Sequence, residues 1–149
     1  MNNLALIYYS LLKHSEAQPL FEQALAIKKK ALGAEHLEVA HILTYLATLY
    51  HLQRKYSEAA AFYEQALAIR KKNPIYLKNT STAGSLSDLA GVYVKLGKFS
   101  EAEPLYKQAV EIMTKVLGDE DTSVAMLLEK YADLLKNCSL AKNGPKYEW

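Results

Sequence analysis

Leu46-Ala47-Thr48-Leu49-Tyr50, then Ser57-Glu58-Ala59, then Gln65-Ala66-Leu67-Ala68-Ile69 are three short blocks within one stretch, and each block returns elsewhere in the chain. The first block recurs as Leu4-Ala5-Leu6-Ile7-Tyr8, Leu89-Ala90-Gly91-Val92-Tyr93 and Tyr131-Ala132-Asp133-Leu134-Leu135, with starts 42, 43 and 42 residues apart. The second recurs as Ser15-Glu16-Ala17 and Ser100-Glu101-Ala102, and the third as Gln23-Ala24-Leu25-Ala26-Ile27 and Gln108-Ala109-Val110-Glu111-Ile112, with the same spacings. Series that agree in this way mark an array of structural repeats. Leu43, Leu46, Ala47 and Tyr50 fall at i, i+3, i+4 and i+7, one apolar stripe of a helix, and Ala59, Phe62, Tyr63, Ala66 and Leu67 make a second stripe. Each period is therefore two helices. Alanines at matching places let the pair approach closely while Tyr, Phe and Leu fill the space between.

The ends of these helices carry further signals. The serines that open the second helices read as N-caps, and Ser15 with Gln18 and Ser100 with Glu103 read as capping boxes. Pro19 and Pro104 are expected in the first turn, where a missing amide costs little. Leu32-Gly33 and Leu117-Gly118 supply glycine C-caps. The middle period lacks that glycine; Pro74 is expected to stop its second helix near Asn73, with one extra residue in the spacing. Lys28-Lys29-Lys30 and Arg70-Lys71-Lys72 read as cations at the negative end of a helix dipole in preference to a basic docking patch.

Composition excludes several classes. Half of the 149 residues are hydrophobic, ordinary for a globular chain, and 18 basic against 16 acidic residues leave a formal charge of +2, too small for a nucleic-acid or membrane field. No apolar run approaches the ~20 residues of a bilayer span. A lone cysteine, Cys138, fits a reducing compartment, and the Asn79 and Asn137 glycosylation triplets read as chance matches. The expectation is a soluble, cytoplasmic protein without membrane or nucleic-acid partners.

Within this pattern, Ala31-Leu32-Gly33-Ala34-Glu35-His36-Leu37-Glu38-Val39-Ala40 and Met1-Asn2-Asn3-Leu4-Ala5-Leu6-Ile7-Tyr8 resemble signatures of the kinesin-light-chain type of tetratricopeptide repeat. The resemblance runs from Met1 to about Asn137. It implies an all-α fold, a right-handed superhelix of antiparallel helix pairs. Repeats would lie at about 1–35, 36–77 and 78–119, with a terminal half repeat over 120–137 serving as solvating cap and a flexible tail over 138–149. The beginning inside a first helix and the single helix of the fourth period read as a piece of a longer array.

No catalytic or metal-binding constellation stands out. His36 and His41 are five apart, ~140° round a helix, whereas zinc pairs use i, i+4. Gly-rich phosphate loops, a G-x-S-x-G elbow and Cys-x-x-Cys pairs are absent from the sequence. No enzyme, cofactor or metal site is expected. The resemblance implies instead a concave wall lined by the first helix of each pair. That wall would take Asn3 and Leu6 from the first period, and His41, Thr44, Tyr45, Thr48 and His51 from the second. Ser87, Asp88, Gly91 and Lys95 would come from the third and Lys130 from the fourth. The asparagines with which light-chain-like repeats hold an extended peptide survive only as Asn2 and Asn3; Thr44-Tyr45 and Ser87-Asp88 stand in the later repeats.

The functional expectation is an adaptor that binds a short peptide segment of a partner protein, carrying an aromatic or leucine beside acidic residues. The alternatives are a purely architectural array and a regulatory fragment of a larger multidomain protein. The chain's own Lys146-Tyr147-Glu148-Trp149 has the aromatic-acidic character and suggests self-association through the C-terminal tail, against the simpler reading of a disordered terminus.

Overall fold

The computed structural model describes residues 14–73 and 78–143, and the chain divides into two compact units, 1–74 and 75–149, which are treated one at a time. The first contains α1 (His14–Leu32), α2 (Leu37–Leu52) and α3 (Tyr56–Lys71); the second contains α4 (Thr80–Lys95), α5 (Phe99–Leu117) and α6 (Thr122–Asn143). Among the described residues there is no strand, and the fold class is all-α. The first helix expected of the first period lies outside the described residues, as do residues 74–77 of the irregular joint.

The helices pair where the stripes direct. In the first unit Ala17, Phe21 and Ala24 of α1 pack with Ile42, Leu46 and Leu49 of α2. The next pair joins Val39, Ala40 and Leu43 of α2 to Ala66 of α3, with Tyr50 stacked on Phe62 at 5.3 Å. In the second unit Ala90 of α4, Ala102 and Tyr106 of α5 and Leu134 of α6 form one cluster. Ala47 and Ala90 are fully buried. Each large side chain so buried contributes about 1.5–3 kcal/mol, but only while the backbones stay close enough for alanine to fill the remaining gap.

The turn inside each pair is the same motif twice. The amide of Lys55 donates to the carbonyl of Tyr50 and that of Arg54 to His51; 43 residues on, Lys98 donates to Tyr93 and Gly97 to Val94. Both are Schellman endings, which place the residue after the cap in the left-handed region. That residue is Gly97 in one case, at φ 76°, and Arg54 in the other, at φ 63°. The lysine that follows then lays its ammonium over the tyrosine ring, 5.8 Å for Lys55 on Tyr50 and 5.9 Å for Lys98 on Tyr93.

This turn also decides where the second helices begin, and it corrects the serine expectation. α3 and α5 start at Tyr56 and Phe99, with Lys55 and Lys98 as N-caps and no side-chain cap, so Ser57 and Ser100 lie inside the first turn. Pro104 is the sixth residue of its helix, not a member of the first turn. The expected capping-box partners reach across to a neighbouring helix instead. Gln18 bonds Tyr50 Oη at 3.2 Å and accepts from Gln53 at 2.9 Å, and Glu103 accepts from Tyr131 at 3.3 Å. Side-chain caps sit on the first helices, from His36 and Asn79, and Asp121 accepts likewise from the Ser123 amide before α6. The glycine endings are as read: Gly33 and Gly118 take φ 94° and 91°. α3 ends at Lys71, two residues before the position set by Pro74. α6 runs to Asn143, beyond the 137 boundary drawn from the sequence, and the rest of the tail, 144–149, lies outside the described residues.

Two substitutions test these packing and turn arguments. Ala47→Leu or Ala90→Leu should lower stability by about 1–3 kcal/mol, since the larger side chain must force the pair apart; an unchanged thermal midpoint would mean the helices are not in close contact there. Arg54→Gly should raise stability by roughly 0.5–1 kcal/mol by removing left-handed strain, whereas in an ordinary helix glycine would lower it.

Candidate functional site

The outward faces of the first helices carry the residues singled out above, and the two units treat them differently. Asn3 and Leu6 lie outside the described residues. In the first unit Thr44 and Thr48 are half-buried and their hydroxyls are occupied. Thr44 Oγ1 donates to the Ala40 carbonyl at 2.9 Å and accepts from Arg70 Nη1 at 3.0 Å. Thr48 Oγ1 donates to the Thr44 carbonyl at 3.0 Å, which leaves Tyr63 Oη as the donor in their 2.9 Å contact. Arg70 and Tyr63 are thereby tied from α3 to α2. Burial holds the Arg70 guanidinium below its ordinary value, and it is not the surface cation its lysine neighbours suggest, being only 5% exposed.

The remaining residues of that face follow suit. Tyr45 stacks on Phe21 at 5.2 Å and so turns toward α1. His51 meets the edge of Tyr56 at 5.5 Å. His41 lies at the exposed edge of α2, its imidazole kept below the usual range by partial burial and then by the Arg70 guanidinium, against the pull of Glu38. Two further cations of the lysine runs are paired: Lys28 with Glu38 at 2.7 Å, and Lys72 with Glu35.

In the second unit three of the singled-out residues converge on one open pocket of about 180 Å³. Ser87 and Asp88 come from α4 and Lys130 from α6; Gly84, Met113, Ser123, Met126 and Leu127 complete the lining. The walls are thus apolar and adaptable, and one basic and one acidic group stand at the rim. Ser87 is 5% exposed and its Oγ has no hydrogen-bond partner, the kind of buried polar atom that a ligand or water would be expected to satisfy. Asp88 and Lys130 are exposed.

Gly91 and Lys95, one and two turns along α4, do not line this pocket. Gly91 has a different neighbour: a Cβ there would stand 3.7 Å from Tyr106 Oη. Thr48 and Tyr63, 43 residues earlier, are hydrogen-bonded to one another. With glycine in the threonine's place Tyr106 has no such bond, and burial, followed by the carboxylates of Asp88 and Asp133, pushes its phenol above the ordinary tyrosine value. The sequence reading missed Gly84, Met113, Ser123, Met126 and Leu127. Register alone carries a signal for two of them, because His41, Gly84 and Met126 occupy one position of the period, at spacings of 43 and 42.

Among the described residues no three His, Cys, Asp or Glu side chains come together in a group able to hold a metal ion, and no helix is long and apolar enough to cross a membrane. Antiparallel helix pairs repeated at a fixed period define a helical-repeat protein. Tetratricopeptide repeat sequence models match residues 1–72 and 82–123, together well over half of the chain, which belongs to the tetratricopeptide repeat family. No curated protein matches it by sequence.

Among solved structures it is similar to BtubC (BKLC) from P. vanneervenii, with a TM-score of 0.78 and 27% identity over 90% of this chain and 52% of that one. It therefore spans about half the length of that relative. It is also similar to a Podosopora anserina protein described as a kinesin light chain with nearly identical TPR-like repeats, with a TM-score of 0.71 and 27% identity over 99% of this chain and 75% of that one. A variant of the same protein matches with the same TM-score and identity. The kinesin-light-chain-like character read from the repeat signatures holds for the fold as well.

The hydroxyl ladder of the first unit has a measurable worth. Thr44→Val removes an acceptor from a buried cation and should cost about 1–3 kcal/mol in a denaturant melt; a loss near zero would mean that Arg70 is satisfied without it.

Proposed function

We propose that this chain binds a short extended segment of a partner protein and that the pocket between α4, α5 and α6 anchors it. Tetratricopeptide repeats are protein–protein interaction modules; the specific ligand and its seat are the proposal. The observation that carries it is the convergence of Ser87, Asp88 and Lys130 on one concave site with an unsatisfied buried hydroxyl at its wall. The lining suits an aromatic or leucine side chain against Met113, Met126 and Leu127, since a thioether adapts to and attracts an aromatic ring. Lys130 then meets an acidic neighbour in the segment, and Asp88 accepts from its backbone amide. Ordering a flexible segment opposes these contacts, so affinity is on the order of micromolar.

A second reading applies to the first unit, where Thr44 and Thr48 spend their hydroxyl protons on helix carbonyls. That face is architectural: it braces α3 against α2 and offers a peptide little besides His41.

Ser87→Ala separates binding from folding. It removes an unpartnered hydroxyl, so the thermal midpoint should hold or rise, while affinity for aromatic-acidic peptides should fall roughly 2–10-fold, the worth of one hydrogen bond. Lys130→Glu should weaken the same peptides more strongly and spare neutral ones. A peptide panel that binds both variants as tightly as the parent, measured by fluorescence anisotropy, would place the binding site elsewhere.

A further inference from the structure

The pair α4–α5 lacks a bond that the pair α2–α3 makes. Thr48 and Tyr63 share a hydrogen bond of 2.9 Å, and 43 residues on the same two positions hold Gly91 and Tyr106. Tyr106 is only 5% exposed, yet its Oη has no hydrogen-bond partner among the described residues. A Cβ on Gly91 would stand 3.7 Å from that oxygen, so the phenol points into the space that the missing side chain leaves. Gly91 itself is half-buried, and the notch therefore opens outward. Burial, then the carboxylates of Asp88 on α4 and Asp133 on α6, keep the phenol protonated, which puts two negative charges near its oxygen. A buried hydroxyl left unmatched is costly, and packing does not demand it, because a threonine closes the equivalent place between α2 and α3.

We infer that, given the anchoring pocket proposed above, this notch is a second subsite on the same face and takes the cationic end of a lysine or arginine side chain in the bound segment. Gly84, Ser87 and Asp88 of the pocket and Gly91 of the notch fall at i, i+3, i+4 and i+7 of α4, on one side of the helix. The rise from Ser87 to Gly91 is about 6 Å, close to the ~6.6 Å between alternate side chains of an extended chain. A segment that follows α4 thus puts its anchor in the pocket and the side chain two residues away in the notch. An ammonium or guanidinium group there donates to Tyr106 Oη, which accepts as readily as it donates, and Asp88 and Asp133 supply the opposite charge. A carboxylate in the same place would meet like charge from two helices. The charges on α6 follow the same order, Lys130 at the pocket and Asp133 one turn further on. The segment is therefore acidic beside its anchor and basic two residues from it.

The test uses three peptides with one aromatic-acidic core, carrying lysine two residues before the anchor, lysine two residues after it, or norleucine at both places. Norleucine keeps the length of the side chain and removes its charge. In fluorescence anisotropy titrations one of the lysine peptides should bind the parent about 5–20-fold more tightly than the norleucine peptide, the worth of a hydrogen bond to a charged group at a partly exposed site. Gly91→Thr rebuilds the arrangement of Thr48 and Tyr63, so its thermal midpoint should rise while the preference for lysine disappears. Tyr106→Phe should abolish the preference as well. Because the preference is a ratio taken within each variant, a general loss of fold does not imitate it. Equal affinity of the three peptides for the parent would overturn the inference and leave the anchoring pocket standing, whereas failure of all three to bind would overturn both. A lysine preference that persists in Gly91→Thr and in Tyr106→Phe would also overturn it, since the cation would then be held elsewhere.

Discussion

Everything in the two units depends on how closely the paired helices approach, and alanine sets that distance. Ala40, Ala47, Ala59 and Ala66 in one pair, and Ala83, Ala90, Ala102 and Ala109 in the other, are buried without space to spare. A helix pair held this tightly has a fixed rotation, so the faces that carry Thr44 and Thr48, or Ser87 and Asp88, are aimed as a consequence of the core. The Schellman turn supports the same geometry from the end of the pair. Its left-handed residue reverses the chain in too few residues for a separate capping serine, which is why Lys55 and Lys98 stand at the N-caps of α3 and α5.

Much of this fold is legible in the sequence because its determinants are local and are written more than once. The period, the two stripes and the glycines at positions 33 and 118 each repeat or sit at a helix end whose pattern is otherwise clear. What escapes is contact between helices. Ser57 and Ser100 carry the chemistry of an N-cap, yet the chain turns one residue before them. Arg70 sits in a run with Lys71 and Lys72 and reads as one of three surface cations, while only the register of α3 on α2 brings it under Thr44. Gln18 and Glu103 satisfy a local motif on paper and spend themselves instead on hydrogen bonds to tyrosines of neighbouring helices.

The candidate site was legible to a lesser degree. The resemblance to light-chain-type repeats assigns a concave face, and that is how Ser87, Asp88 and Lys130 come to be expected on one wall. Which faces stay open cannot be assigned so. Thr44 and Thr48 are turned to bracing because Tyr63 and Arg70 are long enough to reach them, whereas Gly91 leaves Tyr106 with nothing equivalent to hold. Met113 and Met126 carry no motif that would single them out in the sequence, and they line the pocket together with Gly84 through the packing of three helices. Repeats of one sequence pattern thus do two jobs, bracing in the first unit and presenting a cavity in the second.

The measurement closest to the central claim is a titration of the isotope-labelled chain with an aromatic-acidic peptide, followed through its amide resonances. Occupancy of the pocket requires the largest shifts at Gly84, Ser87, Asp88, Met126 and Lys130, saturating together, with Thr44 and Thr48 little moved. Shifts centred on the first unit, or spread evenly over the chain without saturation, would contradict it.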